Sequence, residues 1–477
     1  MVNVADFSVK ELKKTGDLYD RFISDWLKAG LAYNSGQPFI NSVLFQYPAE
    51  SDENYKRRLQ EAFTFGYSKA IVHTYNFFLT EKSAILEVDD EILERQDWTS
   101  FQKNCDLWGN PMETWIEDKQ KLTSVYGVIG VLVDQSTGEF GEDEARPYLS
   151  AYTPNNILDW AYDRDMITGH PELTYLKLLE NERTYIIWTK TSWAKYKLNE
   201  GLSEIENLIS GENRLNKIPF VWFKNISRET IPYLGESDIT DVSKIDGAII
   251  RAFSMGNESL KFAGFPMLSI PMETDNYSGA ETEEEVIVSE QSVFEHDPEA
   301  GTSAKASWIK TEILEPIQAI LDFTDRVTEE MFRCLHLSAL HNNRDKAQSK
   351  SGVNLRYAFQ VLNTVLLKKS KNLVKAEEEI YELFGLWQEI DDIDKKIQIS
   401  RITDFSIDEM SAEIENMISS IETVASEHFQ VKQQLKFAKY TNQSLSENDL
   451  NIMKTEISNN IKAKKEQELK KEETTVA

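Results

Sequence analysis

Many side chains in this sequence are capable of chemistry, but few are spaced for it. His336 and His341 stand five residues apart, on different faces of any helix, and no HExxH supplies a zinc pair. His336 is expected to pack or hydrogen-bond within a helical contact. Glu281, Glu283, Glu284 and Glu285 crowd together without the DxDxDG spacing that wraps a calcium ion, and read first as a solvated acidic loop. Among 80 acidic residues, nothing singles out a pair of carboxylates for glycoside hydrolysis. No GxxxxGK[ST] cradles a phosphate, no GxGxxG opens a helix, and no GxSxG presents a nucleophile. Cys105 and Cys334 make neither a CxxC pair nor a disulfide framework. The expectation is a protein that is not an enzyme and holds neither cofactor nor metal.

Composition narrows the class further. Apolar residues make up 41% of 477, enough for real cores, and the length predicts two to four domains. The 80 acids against 52 basic residues leave a net charge of -28. Tight groove binding of DNA needs surplus Lys and Arg to displace counterions, so this balance argues against it. It leaves room for DNA sliding past a surface that does not hold it. No run of about 18 uncharged apolar residues predicts a membrane span, and residues 1–30 lack a secretory pattern. A soluble, reducing, intracellular setting is expected.

The elements that must position any site follow from periodicity. Phe7, Leu12, Leu18, Phe22 and Trp26 predict short helices, broken at Asn34-Ser35-Gly36 and Pro38. Residues 52–79 read as one helix with Tyr55, Leu59, Ala62 and Phe63 on one side, capped by Ser51 or Asp52. A second helix covers 111–126. Residues 128–134 are β-branched and end at the turn Ser136-Thr137-Gly138. With 147–152, 173–179, 184–189, 193–198 and 219–223 they predict an antiparallel sheet region over 128–224. Ile239, Val242, Ile245, Ile249 and Phe253 mark a helix over 238–262.

Residues 264–308 change character. Pro266, Pro271, Gly279, Pro298 and Gly301 punctuate them, Val286-Ile287-Val288 reads as a strand, and eight acids fall between Glu281 and Glu299. This predicts a subdomain inserted at the tip of a helical stalk. A helix follows over 316–340, with Ile317, Ile320, Leu321, Val327, Met331 and Leu335 as its stripe. After a polar break comes the longest helix, where Leu355, Phe359, Leu362, Leu366, Leu373, Ala376, Ile380, Leu383 and Trp387 alternate by three and four. Such a seam belongs to packed helices and spans about 50 Å at 1.5 Å per residue. Two readings stay open: a helix radiating through a larger assembly, or a long core helix within one subunit. Lys369 alone interrupts the series. A strand over 396–402, helices near 407–439 and a last helix from about 447 complete the pattern. The fold expected is mixed α+β, predominantly helical, with an antiparallel β region.

Four motifs now stand in a telling order. Tyr55, Arg58, Leu59 and Ala62 form Y-x-x-R-L-x-x-A. Tyr126-Gly127 leads into Gly130, Leu132, Val133 and Asp134. Arg146-Pro147-Tyr148-Leu149 is followed by Tyr152, Pro154, Ile157 and Trp160, and Ser349-Lys350-Ser351-Gly352 opens the long helix. Together they cover most of residues 50–390, and in this succession the chain resembles the portal proteins of tailed bacteriophages.

The resemblance implies a ring of twelve subunits at one capsid vertex, a channel for packaging and ejecting double-stranded DNA without sequence specificity. It implies a wing (50–235 and 353–410), stem helices (236–263 and 309–340), a clip (264–308), a tunnel loop (341–352) and a crown with the C-terminal tail (411–477). Residues 1–49 form an N-terminal segment outside these. The implied partners are the other subunits, the terminase large subunit, the head-tail adaptor, and capsid and scaffolding proteins. No membrane is involved: the protein would reside in the virion after assembly in the host cytoplasm. Glu281, Glu283, Glu284 and Glu285 would lie on the surface that docks motor and adaptor. His341, Asn342, Asn343, Arg344, Lys346, Gln348 and Lys350 would meet DNA in the channel, brushing phosphates without reading bases. The terminase carries the ATPase, in keeping with the missing phosphate loop. Two alternatives remain: a structural virion or scaffold protein without a channel, and a hydrolase working through two of the many carboxylates.

Overall fold

A computed structural model of the chain describes residues 4, 6–136, 146–164, 169–264, 267–271, 293–296, 307–309, 314–337, 352–402, 405, 431, 435 and 453–459. The chain divides into two units, Met1–Phe405 and Ser406–Ala477. In the second, residues 453–459 are helical, inside the helix expected from about 447. The helices expected near 407–439 lie outside the described residues.

The first unit is mixed α+β with antiparallel sheets, about half helical and so less dominated by helix than expected. It opens with helices α1 (Val9–Lys13), α2 (Asp17–Asn34), α3 (Gln37–Val43), α4 (Asp52–Glu61) and α5 (Tyr67–Thr80). Ser8 and Glu11 form a reciprocal capping box on α1, and Ser51 caps α4 by accepting from the Asn54 N–H. The single helix expected over 52–79 is two. The chain leaves helical geometry at Ala62, and Gly66 takes φ +68, a left-handed value that costs glycine little. Phe63 and Phe65 sit in that break, on opposite sides of Thr64, where helical periodicity no longer applies.

Strand β1 (Ile85–Val88), helices α6 (Asp90–Leu93) and α7 (Gln96–Lys103), and α8 (Met112–Tyr126) lead into the sheets. Pro111 starts α8, and Gly127 ends it with φ +86. A Cβ on Gly127 would come within 2.6 Å of the Gly235 carbonyl, so this helix-to-strand corner admits only glycine.

Strands β2 (Val128–Gln135), β3 (Pro147–Tyr152), β4 (Ile157–Arg164), β5 (Pro171–Asn181), β6 (Thr184–Thr189), β7 (Ser192–Leu198), β8 (Ile205–Glu212) and β9 (Phe220–Lys224) fill the region expected to be antiparallel. They make two sheets, in the orders β3-β2-β9 and β4-β5-β6-β7-β8. Strands β4 and β8 went unforeseen. Strand β4 mixes Asp159, Asp163 and Arg164 with aromatics, and β8 is exposed along nearly its whole length, so neither alternates cleanly. A hairpin of β10 (Ile226–Ser227) and β11 (Gly235–Glu236) returns the chain to α9 (Thr240–Gly264).

Between α9 and α10 (Leu314–Cys334) lies a small sheet of β12 (Met267–Pro271), β13 (Val293–His296) and β14 (Ser307–Ile309). Its β12 pairs parallel with β13 and antiparallel with β14. The strand expected at Val286-Ile287-Val288 is outside the described residues. Helix α10 stops at Cys334, short of the expected residue 340. His336 follows at φ +58 and is exposed, so it is not the packed helical residue expected. The long helix α11 (Gly352–Trp387) falls where the seam placed it; α12 (Ile393–Lys396) and β15 (Ile397–Ser400) follow, β15 pairing with β1.

The seam of α11 is covered by its own subunit. Leu373, Ala376, Ile380, Leu383 and Phe384 pack with Phe101, Ile116, Ile129 and Phe223 in one core, while Leu362 and Leu366 join Ile71, Tyr75, Ile239 and Val242 in another. Each buried side chain of this size contributes about 1.5–3 kcal/mol, which is ample reason for the helix to stay inside one chain. Over 362–387 it is therefore a long core helix, and the radiating alternative loses its support there.

Two buried basic side chains of the core, Arg401 and Lys369, are paired with acids. Arg401 forms two 2.7 Å hydrogen bonds to buried Glu377 and reaches Glu113 at 3.2 Å. Lys369, the interruption of the seam, pairs with Asp238, donates to Asn225 Oδ1 at 2.8 Å and lies 4.2 Å from the Tyr75 ring. Cys105 is buried, its thiol pushed up to about 12 by burial, and Cys334 is exposed; no disulfide joins them.

Candidate functional site

The hairpin of α9 and α10, with the small sheet between them, is built into the cores on one side only, through Val242, Ile250 and Met331. Helix α9 is bound along one flank. Asp246 accepts from the backbone and hydroxyl of Ser68 at the start of α5, and burial raises its pKa against those two bonds. Arg58, itself buried and held by Glu50 at 2.7 Å, reaches Ser254 at 3.4 Å. Arg57 meets Glu258 at 3.4 Å, and Lys261 bridges Glu61 and Glu258. Phe253 packs against Phe65 with ring centroids 5.0 Å apart. The break between α4 and α5 thus serves to bring two aromatic rings onto α9.

The other flank is open. Helix α10 touches α9, where Ile320 lies 3.4 Å from the Cβ position of Gly256, but most of its surface meets solvent. Met255 and Leu260 on α9, and Leu321 and Phe323 on α10, are each between 43% and 52% exposed. Glu315, Asp322, Asp325, Glu329 and Glu330 are exposed on the same helix, against Arg326 and Arg333. These two helices therefore present half-exposed apolar side chains next to exposed acids, the kind of surface that packs against a partner.

The site residues singled out by sequence lie outside the described residues. Glu281, Glu283, Glu284 and Glu285 lie in the chain between β12 and β13, outside the described residues. His341, Asn342, Asn343, Arg344, Lys346, Gln348 and Lys350 lie between Cys334 and Gly352, also outside them. Leu321 was counted in the apolar stripe of its helix and is exposed, whereas Met331 of the same stripe is buried. Phe323 was missed because it lies off the stripe; an apolar residue between Asp322 and Asp325 was the only signal. Among the described residues no three His, Cys, Asp or Glu side chains converge to hold a metal ion, and no described helix is long and apolar enough to cross a membrane.

No protein-family model matches the chain, and no curated protein matches it. Among solved structures it is similar to a chain in the neck of an empty gene transfer agent particle computed with C6 symmetry, with 10% identity and a TM-score of 0.44, covering 77% of this chain and 89% of that one. It is also similar to a chain in the neck of the native particle computed with C12 symmetry, at 10% identity and a TM-score of 0.44, over 75% and 86%. A chain in the virion of the native particle gives 10% identity and a TM-score of 0.42 over 77% and 89%.

Proposed function

We propose that this chain is the subunit of a portal ring, a channel for double-stranded DNA at one vertex of a phage-like capsid. The observation that carries the proposal is the α9–α10 hairpin, fixed to its own subunit on one flank, uncovered on the other, and interrupted at its tip by a small sheet. Copies arranged around an axis bury Met255, Leu260, Leu321 and Phe323 against neighbouring hairpins, which gives assembly a hydrophobic driving force. The five exposed acids of α10 then contribute an acidic lining. Such a wall repels phosphates and lets DNA pass, where a basic wall would hold it through counterion release.

In this reading 236–263 and 309–340 are the stem, 264–308 the clip that meets the terminase and later the adaptor, and 50–235 with 353–410 the wing. Residues 411–477 are the crown. Twelve subunits and contacts with capsid and scaffolding proteins belong to the same proposal. Negative-stain images of the purified chain should show closed rings with an axial hole. Filaments or compact dimers would instead support a structural virion or scaffold protein without a channel. Within the ring, reversal of Glu283, Glu284 and Glu285 to Lys should weaken docking of the motor in a salt-dependent way, since rim charges act through long-range steering. Unchanged packaging and tail attachment in that variant would remove the clip from the docking role.

A further inference from the structure

We infer that the groove between the two large sheets is a docking site for an extended, cationic segment of a partner protein. The groove has a volume of about 1480 Å³ and is lined by β3, by the faces of β6 and β7, by the ends of β2, β5 and β8, and by the loop before α8. That volume exceeds the roughly 300–1,000 Å³ of small-molecule pockets and suits several residues of peptide. The inference stands apart from the portal reading, because none of these residues belongs to the α9–α10 hairpin.

Three observations define the occupant. The first is Asp134. Its carboxylate accepts from the Gln135 N–H at 2.8 Å and the Tyr148 hydroxyl at 3.2 Å, and no described Lys or Arg pairs with it. Lys195, which acts on it electrostatically, is already bound to Glu180 at 2.7 Å. Asp134 is half-buried without a paired counter-charge, and its desolvation raises its pKa. A cation from outside the chain would relieve it. Five acids and three basic residues line the groove, so its charge has the matching sign.

The second is the pair Trp188 and Trp193, stacked with centroids 6.0 Å apart. Trp188 is only 3% exposed and its indole N–H has no acceptor among the described residues. An Arg or Lys side chain beside the half-buried Trp193 ring gains a cation–π contact. A neutral sugar would leave Asp134 uncompensated.

The third is Trp108, 88% exposed at the rim. Its loop is rigidly built: Asp106 accepts from the Trp108 N–H at 2.9 Å and from the Asn110 amide at 2.7 Å, and Asn104 accepts from the Gly109 N–H at 2.8 Å. Leu107 is held at φ +64. A chain that strains a leucine backbone to present a tryptophan to water has prepared a binding anchor, since exposed aromatics of this kind dominate interface energetics.

The test uses the full chain and three capped hexapeptides, alternating Arg-Ser, Gln-Ser and Glu-Ser, titrated by calorimetry and tryptophan fluorescence. Because the chain carries -28, any polycation is attracted to it, so the comparison among variants decides. The Arg peptide should bind, the Gln peptide about tenfold more weakly, and the Glu peptide not at all. Asp134→Asn and Trp108→Ala should each weaken the Arg peptide about tenfold, while Glu53→Gln, outside the groove, should leave it unchanged. Asn at 134 still accepts from Tyr148, and Trp108 is solvent-exposed, so both variants should keep the thermal transition of the parent. Equal affinity in all four proteins, or no binding at millimolar peptide, overturns the inference.

Discussion

Replacing Lys369 with Met is expected to lower the unfolding free energy of the first unit by about 3–5 kcal/mol, the usual penalty for stripping one member from a buried ion pair. The side chain of Lys369 is fully buried and that of Asp238 is 7% exposed. Removing the ammonium leaves a carboxylate, the Asn225 amide oxygen and the face of Tyr75 all turned toward an apolar methyl group. The pair also has a position: Asp238 lies just before α9, and Lys369 lies mid-way along α11. It therefore fastens the start of the projecting hairpin to the longest helix of the core. Restoring neutrality with Lys369→Met and Asp238→Asn together should recover more than half of the loss, because no unpaired charge then remains. Urea unfolding followed by tryptophan fluorescence measures both. A single-variant loss below about 1 kcal/mol would mean that the pair is no better than an apolar contact at this place.

The second large effect concerns DNA. Replacing Arg344, Lys346 and Lys350 together with Ala is expected to leave ring assembly intact and reduce packaged or retained DNA by about an order of magnitude, since each lost phosphate contact is multiplied by the number of subunits. Residues 341–350 join the end of α10 to the start of α11, the shortest route from the proposed stem to the proposed wing. Their composition lacks large apolar groups, so assembly should draw on Met255, Leu260, Leu321 and Phe323 instead. Counting full particles against empty ones reads the outcome. Normal packaging would make the segment a connector only, and failure of the ring would place it at a subunit interface.

Much of the fold was legible in the chain itself, wherever local pattern and burial coincide. The strands at 128–135 and 184–189 are compact β-branched or aromatic runs covered on both faces, and 147–152 alternates between buried and half-buried positions. Helix α11 shows its alternation because one side is buried from Leu362 to Phe384. The insertion between α9 and α10 was visible as a change in punctuation and charge. Local signals failed where tertiary contacts overrule them. The break at Ala62–Gly66 exists because α9 needs Phe65 against Phe253, which no periodicity within 52–79 records. Strand β8 exists because β7 offers hydrogen bonds to it, although its own residues are almost all exposed.

Sequence alone determined that this is an acidic, folded, mixed α+β protein without a recognisable catalytic motif and with a change of character between two of its helices. Only the tertiary structure decided what the long seam packs against. The same alternation of Leu362, Leu366, Leu373 and Ile380 is compatible with a neighbouring subunit or with the chain's own sheet, because an apolar stripe specifies burial and not the identity of what buries it. The structure supplies Ile129, Phe223, Ile71 and Tyr75 from the same chain and leaves one flank of the α9–α10 hairpin open. It likewise turned Lys369 from an interruption into a partner of Asp238, 131 residues away, a pairing that depends on a charge meeting its opposite across the core and has no trace in local spacing.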